Sequence, residues 1–431
     1  MTELQNRRKI LAEQLPPKSV AILTNPPESL RTADEYYLYR PNSNMLYLTG
    51  IEEPAAVALI LSNDYDQQFI AFVKQKDPEM EKWTGPTIGP ENAVKTLGAD
   101  LAFPLTDLNA QLEKYLFSTE NLYFDFRLSQ HIYPIIHETI MKLRHRGRKA
   151  AEGPRNLSDL FDLVAEMRKI KSPEELKTLR IAADIAVQAF KNARNALKPD
   201  LWEYEIQAVI EASFRKLGAM GPSFKTIVAG SHRATTLHYS DNNCKLNNGD
   251  LLLIDAGAEY RYYASDISRT YPVAGKFTSP QAEIYDIVLT AQKNAINAAI
   301  PGNNIKSPHD EVRKTYAHAL SELGIIKKSP EEIYDNNLEL RYYMHGTSHF
   351  LGMDTHDVGI AYHRGNDKPE ILAPGMLITV EPGLYFPIDD PDVPQQYRGI
   401  GIRIEDDILI TQDANENLTR NLPKEINEIE N

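Results

Sequence analysis

The 431-residue chain lacks the features that mark secreted, membrane-spanning and nucleic-acid-binding proteins. It has one cysteine, Cys244, which excludes an intrachain disulfide and makes a reducing compartment the default. No stretch approaches the ~20 consecutive apolar residues of a membrane-spanning helix, and the charged amino terminus lacks the apolar segment of a secretion signal. With 60 acidic against 47 basic residues, the formal charge of −13 disfavours nucleic-acid and anionic membrane partners. We therefore expect a cytoplasmic protein.

The chain does contain enough apolar character for more than one folded domain. Its length predicts two or three domains, and its hydrophobic content of 42% is ordinary for a globular protein. The first 165 or so residues alternate helical patterns with short apolar runs at 20–24, 55–61 and 68–73, which predicts a compact α/β domain. The polar end of the chain, residues 424–431, is expected to be loose.

A long helix is predicted directly after this first domain. Ser172 supplies an N-cap, Pro173 a first-turn proline and Glu175 the acid of a capping box. We place the domain boundary at the start of this helix, which divides the chain into residues 1–170 and 171–431.

Five potential metal ligands occur in a fixed order in the second part of the chain. Four carboxylates and one imidazole suit a pair of divalent ions. Any one of these acids taken alone is more often a solvated or capping residue. An acid enclosed by an apolar strand is nevertheless costly to bury unless a cation neutralises it, and a shared cation explains the whole set. The five residues are Asp255, Asp266, His349, Glu381 and Glu405.

Most of these residues lie in or beside predicted strands. Residues 251–273 form an apolar run, a glycine-containing middle and an alternating return, which predicts a hairpin that brings Asp255 and Asp266 side by side. Glu381 follows the apolar strand MLITV and precedes Pro382, which stops the strand and presents the carboxylate at its end.

The last ligand is predicted on one continuous strand over residues 399–411. In its alternating pattern, Arg403 and Glu405 share one face and the neighbouring isoleucines share the other. His349 lies in the segment 345–359, where glycines and small residues allow the backbone to pass close to a bulky group such as a metal pair.

These segments resemble the pita-bread metallopeptidases, and within them the proline-specific branch, through the strings IDAGAEY, SDISRTYPV, HGTSHFLGMDTHDVG, TVEPGLY and GIRIEDD. Residues 31–61 are similar to the amino-terminal domain of Xaa-Pro aminopeptidases (aminopeptidase P) and prolidases. Together the two regions cover nearly the whole chain. The resemblance implies an α/β (α+β) fold in which an amino-terminal α/β domain of aminopeptidase P type, residues 1–170, precedes a pita-bread dinuclear-metal catalytic domain, residues 171–431.

The resemblance implies an exopeptidase that releases the amino-terminal residue from peptides with proline in the second position. Two divalent ions that share a water lower its pKa and leave a bridging hydroxide as the nucleophile. Asp255 would serve one ion, His349 would complete the other, and Asp266, Glu381 and Glu405 would bridge or link them. Glu381 would also be the catalytic proton shuttle. Oxygen-rich ligation favours Mn²⁺ or Mg²⁺, and the habit of the family makes Mn²⁺ our choice.

The same resemblance makes His238 and His356 catalytic and substrate-binding residues. They are expected to hold the scissile carbonyl and to stabilise charge on its tetrahedral intermediate, since an N–H donor aimed at developing oxyanion charge is worth ~3 kcal/mol. Taken alone, a histidine in a glycine-rich loop is more often a structural hydrogen bonder, and the surrounding motif reverses that estimate.

Three further residues are expected on the substrate side of the site. His345 either shares the role of the other histidines or orients His349, and both alternatives stay open. Arg403 is expected to pair with a ligand carboxylate such as Asp266 or to line the proline pocket. Tyr385 is the third candidate.

Several related functions compete with this interpretation. A creatinase-like hydrolase and a non-catalytic interaction protein would both lack the metal ligands, which this chain retains. A methionine aminopeptidase usually lacks the amino-terminal domain. Prolidase, which cleaves Xaa-Pro dipeptides with the same metal centre, is the main alternative. The family habit also predicts a homo-dimer or homo-tetramer.

Overall fold

The computed structural model describes residues 2–127, 130–145, 152–359 and 368–431. The chain divides into two compact units, residues 1–167 and residues 168–431. Both units mix helices and strands, as the sequence predicts. Within the described ranges, the helices are too short or too polar to cross a bilayer.

The first unit contains a sheet surrounded by short helices. Its strands are β1 (Ser19–Thr24), β2 (Leu30–Thr32), β3 (Glu35–Tyr36), β4 (Val57–Leu61), β5 (Phe69–Val73), β6 (Leu101–Pro104), β7 (Asn121–Phe124) and β8 (Asn156–Asp159). Its helices are α1 (Glu3–Gln14), α2 (Ser43–Thr49), α3 (Glu81–Thr84), α4 (Gly89–Leu97), α5 (Leu108–Leu116), α6 (Tyr133–His145) and α7 (Phe161–Lys169).

Six of these strands form one mixed sheet in the order β6, β5, β4, β1, β7, β8. The pairs β1–β4 and β4–β5 are antiparallel. The pairs β5–β6, β1–β7 and β7–β8 are parallel. The three apolar runs predicted as strands are β1, β4 and β5, and each is buried at every position. Continuous apolar sequence is expected when both faces of a strand are covered.

The second unit carries more strands and the longest helices. Its helices are α8 (Pro173–Ala196), α9 (Glu203–Lys216), α10 (Ser279–Ala298), α11 (Ser307–Glu322), α12 (Pro330–Asp335) and α13 (Ile426–Ile429). Its strands are β9 (Gly221–Pro222), β10 (Ile227–Gly230), β11 (Leu251–Ala256), β12 (Ala258–Tyr260), β13 (Tyr263–Ala264), β14 (Ile267–Pro272), β15 (Leu377–Val380), β16 (Gly383–Tyr385), β17 (Gly401–Arg403), β18 (Asp406–Ile410) and β19 (Asn415–Asn417).

The long helix predicted after the first domain is α8, and its predicted cap is confirmed. The Ser172 side chain accepts from the backbone N–H of Glu175, and the Glu175 side chain accepts from the N–H of Ser172. Two backbone donors are satisfied reciprocally, which fixes where the helix begins.

Short antiparallel sheets frame the second unit. They have the orders β10, β11, β14; β13, β12, β9; β15, β18, β19; and β16, β17. Helices α8, α9, α10 and α11 pack their apolar faces with these sheets into one large core. The antiparallel strands therefore have a rigid, buried support.

The end of the chain is not loose, contrary to the prediction. The Lys424 ammonium donates to Asp406 Oδ2 at 2.6 Å and to Gln292 Oε1 at 2.7 Å. The side chain of Ile429, in α13, is buried in the core. Lys424 and Ile429 therefore anchor the tail to the second unit.

Candidate metal centre

The first two predicted ligands are brought together by the pairing of β11 with β14. Asp255 in β11 lies opposite Ser268 in β14, and Asp266 lies just before β14 begins. The chain between these strands also forms β12 and β13, so the connection is longer than a simple hairpin. At Gly257, an added Cβ would lie 1.7 Å from the carbonyl oxygen of Ser265, so only glycine permits this close approach of the backbone.

The continuous strand predicted over residues 399–411 is wrong, because the structure has two strands there. Strand β17 ends at Arg403 and pairs with β16, whereas β18 starts at Asp406 and pairs with β15. Glu405 lies in the short link between them. The alternating pattern continues through the link, so the sequence gives no sign of the break.

The break at Glu405 faces a matching break at Glu381. Strand β15 ends immediately before Glu381, and β16 begins immediately after Pro382. Proline has no N–H to continue a ladder, so the pairing stops there, while the N–H of Ile404 still donates to the Pro382 carbonyl at 3.3 Å. Two antiparallel segments thus interrupt their ladders at the same level, and each presents one carboxylate.

These supports converge on a compact group of potential ligand atoms. One ligand atom each from Asp266, His349 and Glu405 lies within 4.8 Å of the others. His349 Nε2 is 3.6 Å from Asp266 Oδ2 and 3.6 Å from Glu381 Oε1. The Nδ1 atom of His349 lies 3.0 Å from the carbonyl oxygen of Phe350, which can only accept, so Nδ1 donates there and Nε2 is the ring nitrogen that faces the acids.

The acids of this group are crowded together in a buried environment. Burial, followed by the charges of neighbouring acids, raises the pKa of Asp266 and the pKa of Glu405 well above their usual range. Burial also raises the pKa of Glu381 to about 7, against the opposing charge of His349. Crowded buried carboxylates favour protonation unless a cation neutralises them.

The remaining predicted ligand, Asp255, has one carboxylate oxygen in a hydrogen bond and one without a partner among the described residues. Its Oδ2 accepts from Arg403 at 2.6 Å. Its Oδ1 is buried and has no hydrogen-bond partner among the described residues. A buried polar atom of this kind requires an explanation such as an ion. The hard carboxylate oxygens and the single imidazole therefore fit divalent cations.

Arg403 pairs with the carboxylate of Asp255, whereas Asp266 was the example of its partner predicted from the sequence. Its other nitrogens donate to the Tyr385 hydroxyl and to Ser268 Oγ, each at 2.9 Å. Arg403 is 3% exposed, and each of its three side-chain nitrogens donates one hydrogen bond inside the protein. Arg403 consequently fixes Asp255 and Tyr385 relative to each other.

His345 contacts Tyr385 and approaches Glu381. Its Nε2 lies 2.8 Å from the Tyr385 hydroxyl, and its Nδ1 lies 3.8 Å from Glu381 Oε2. Burial, followed by the charge of Arg403, lowers the pKa of His345 to about 3, so the ring is neutral at physiological pH.

His238 and His356, the two histidines predicted to hold the substrate carbonyl, are both exposed. The ring of His356 meets the ring of His349 edge to face, with 4.4 Å between the centroids. Burial, followed by the charges of His349 and His238, lowers the pKa of His356. The charge of His238 also contributes to lowering the pKa of His345.

Two residues that contact the predicted ligands, Ser268 and Asp407, were not identified from the sequence. Ser268 donates its hydroxyl to Glu405 Oε2 at 2.8 Å while accepting from Arg403. The Asp407 carboxylate accepts from the backbone N–H of Asp266, with distances of 3.3 and 3.4 Å to its two oxygens. The available signal was their spacing, since each lies two residues after a predicted ligand on an alternating segment.

Comparison with known proteins gives consistent matches over both units. Residues 177–412 match Metallopeptidase family M24, and residues 4–123 match the amino-terminal domain of aminopeptidase P. The Xaa-Pro aminopeptidase of Escherichia coli is 42% identical over 429 residues, which cover 99% of this chain and 96% of that protein. Xaa-Pro aminopeptidase 3 of Homo sapiens is 34% identical over 422 residues, covering 96% of this chain and 80% of that protein.

Solved structures agree with these matches. The aminopeptidase PepP of Pseudomonas aeruginosa superposes with a TM-score of 0.96 at 36% identity, covering 99% of this chain and 96% of that one. A zinc-substituted aminopeptidase P of E. coli in complex with product superposes with a TM-score of 0.95 at 41% identity, covering 99% and 97%. The fold class predicted from the sequence is thereby confirmed.

Proposed function

Because this chain belongs to metallopeptidase family M24 and carries the amino-terminal domain of aminopeptidase P, we propose that it is a Xaa-Pro aminopeptidase. It releases the amino-terminal residue from peptides whose second residue is proline. The observation that carries the proposal is the group formed by His349 with the buried carboxylates of Asp266 and Glu405, in a chain related over nearly its whole length to such enzymes.

The proposed cofactor is a pair of divalent ions, with Mn²⁺ as the resident metal. Asp255 would bind one ion, His349 the other, and Asp266, Glu381 and Glu405 would bridge or link them. When bound, such ions act as Lewis acids and activate water at neutral pH. The oxygen-rich donor set supports Mn²⁺ over the thiolate-rich and imidazole-rich sites that zinc favours.

Glu381 is proposed to move the proton. Its carboxylate lies between a ligand histidine and a substrate-side histidine, 3.6 Å from His349 Nε2 and 3.8 Å from His345 Nδ1. From there it can take the proton of the attacking water and deliver it to the proline nitrogen, which has no N–H in the peptide and needs that proton to leave as an amine.

The substrate carbonyl is proposed to be held by His238 and His356. Both are exposed beside the ligand group, and an N–H donor is most useful when the carbonyl oxygen becomes anionic. The buried hydrogen-bonded chain of His345, Tyr385 and Arg403 supports the proline side of the site, where the same three residues are proposed to bind substrate.

Domain roles, compartment and assembly are proposed from the family. Residues 1–170 form the aminopeptidase P amino-terminal domain and residues 171–431 the catalytic domain. The single cysteine and the acidic composition support a cytoplasmic protein that binds neither nucleic acid nor membrane. A homo-dimer or homo-tetramer is the expected assembly.

Substrate length provides the decisive experiment. Purified protein is assayed with and without Mn²⁺ on Xaa-Pro-Yaa tripeptides, on the matching Xaa-Pro dipeptides, and on amino-terminally acetylated tripeptides as a control. We expect a higher specificity constant on tripeptides, metal dependence, and no cleavage of the acetylated peptide. A specificity constant at least tenfold higher on the dipeptide would make the protein a prolidase.

A further inference from the structure

A buried glutamate outside the metal centre gathers one segment of the chain around itself. The side chain of Glu203, the first residue of α9, is 0% exposed. Its Oε1 accepts from the Gly230 backbone N–H and from Arg233 Nε, each at 2.8 Å. Its Oε2 accepts from the Tyr239 hydroxyl at 2.7 Å and from the Cys244 backbone N–H at 2.9 Å. All four donors come from residues 230–244.

The backbone of Glu203 adds a fifth link to the same segment. Its N–H donates to the Cys244 carbonyl at 2.9 Å. Both ends of the segment and two side chains from within it therefore converge on one residue. At Gly230, an added Cβ would lie 2.5 Å from Leu246 Cδ2 and 3.2 Å from Glu203 Oε1, so the backbone passes close to both side chains at this anchor point.

Burying a carboxylate at the start of a helix has a large unfavourable desolvation free energy. Desolvation of a charge is offset only when hydrogen bonds satisfy it well, and an apolar residue often stabilises a core equally well. What the carboxylate adds is geometric definition, since four donors in fixed directions restrict where the segment can lie. The segment restricted in this way carries His238, whose own side chain is exposed.

We propose that Glu203 is a positioning residue that holds His238 in place for the reaction. The connection runs through Tyr239, which directly follows His238 and is anchored by its hydroxyl to Glu203 Oε2. The inference rests on the proposed function, because the role of His238 is part of it. Glu203 itself lies outside the ligand group and acts only through the segment 230–244.

The test is a double-mutant cycle on kcat with Xaa-Pro-Yaa peptides. Glu203→Gln is made alone and together with His238→Ala, and bound metal is measured in each protein. We expect the single substitution to lower kcat about tenfold to a hundredfold, with KM and metal content little changed. In the His238→Ala background the same substitution should change kcat less than about twofold, because the group it positions is gone.

Glu175→Gln is the matched control. Glu175 is likewise a buried glutamate in the first turn of a helix, but it accepts from the Ser172 backbone N–H at 2.9 Å and from the Tyr263 hydroxyl at 3.1 Å, and neither donor belongs to residues 230–244. We expect the kcat of this control variant to equal that of the parent protein. If Glu203→Gln does not fold, Tyr239→Phe takes its place in the cycle, since it removes one hydrogen bond and no charge.

Two outcomes would overturn the inference. One is an unchanged kcat in the folded single variant. The other is an additive cycle, in which the substitution costs the same factor with and without His238. Failure of the proposed function would look different, because the parent protein itself would then not cleave Xaa-Pro-Yaa peptides.

Discussion

Removing the divalent metal should make the stability of the protein fall as the pH rises. Burial and neighbouring acids raise the pKa values of Asp266 and Glu405 well above their usual range, and burial raises that of Glu381 to about 7. A carboxyl whose pKa is higher in the folded state binds more protons there than in the unfolded chain. Its contribution to stability is complete below the unfolded pKa and is lost as the pH rises through the folded pKa.

The magnitude can be worked out for Glu381. Its pKa rises from 4.5 to about 7 on folding. At ~1.4 kcal/mol for each pH unit, this corresponds to about 3 kcal/mol of unfolding free energy, lost between about pH 4.5 and pH 7. Bound metal should reverse the trend, because ligands bind it deprotonated, and a metal at 100 times its dissociation constant adds about 2.7 kcal/mol per site.

The assay is chemical unfolding of chelator-treated protein at several values between about pH 5 and pH 8. The parent is compared with Glu381→Gln, which is neutral at every pH, and with Glu174→Gln as a control for an exposed acid in a surface pair. We expect the parent to lose about 3 kcal/mol more than Glu381→Gln across this range. A metal-free parent whose stability is flat or rises with pH would refute the reasoning.

Three further predictions concern single side chains. Asp266→Asn should abolish activity and reduce bound metal, as measured by elemental analysis of the folded protein, because it removes a charged ligand. His356→Ala should lower kcat about a hundredfold, with a smaller change in KM; steady-state kinetics that show a change in KM alone would make it a simple binding residue. Lys424→Met should cost about 2 kcal/mol in urea unfolding, because the buried Asp406 loses a charged donor at 2.6 Å, whereas the exposed Lys293→Met should cost little.

Local signals in the sequence predicted those parts of the fold that local interactions determine. The strands β1, β4 and β5 follow from apolar runs, and the start of α8 follows from the cap formed by Ser172 and Glu175. The break at Glu405 could not be predicted in this way. Its cause lies across the sheet, where Pro382 interrupts the partner ladder, and periodicity within one segment carries no information about its partner.

Burial of charge was the other source of error. The tail around Lys424 has the composition of a loose terminus, and only the position of Asp406 in the core shows why an ammonium is required there. The sequence likewise did not determine which acid pairs with Arg403, because the predicted hairpin places Asp255 and Asp266 side by side. The structure selects Asp255, which is 2.6 Å away.

Three consecutive acids illustrate how the strand period gives neighbouring carboxylates different surroundings. Burial works to raise the pKa of each of Glu405, Asp406 and Asp407, but alternation along the chain gives them different neighbours. Asp406 pairs with the fully buried Arg269 at 2.7 Å, and cationic partners lower its pKa. Glu405 faces Asp266, and Asp407 accepts a hydrogen bond from the backbone N–H of Asp266. Burial raises the pKa values of Glu405 and Asp407. Asp406 is thus neutralised by the protein's own cations, Arg269 and Lys424. Glu405 lies among other acids, where a bound metal ion would provide the positive charge that stabilises the ionised carboxylates.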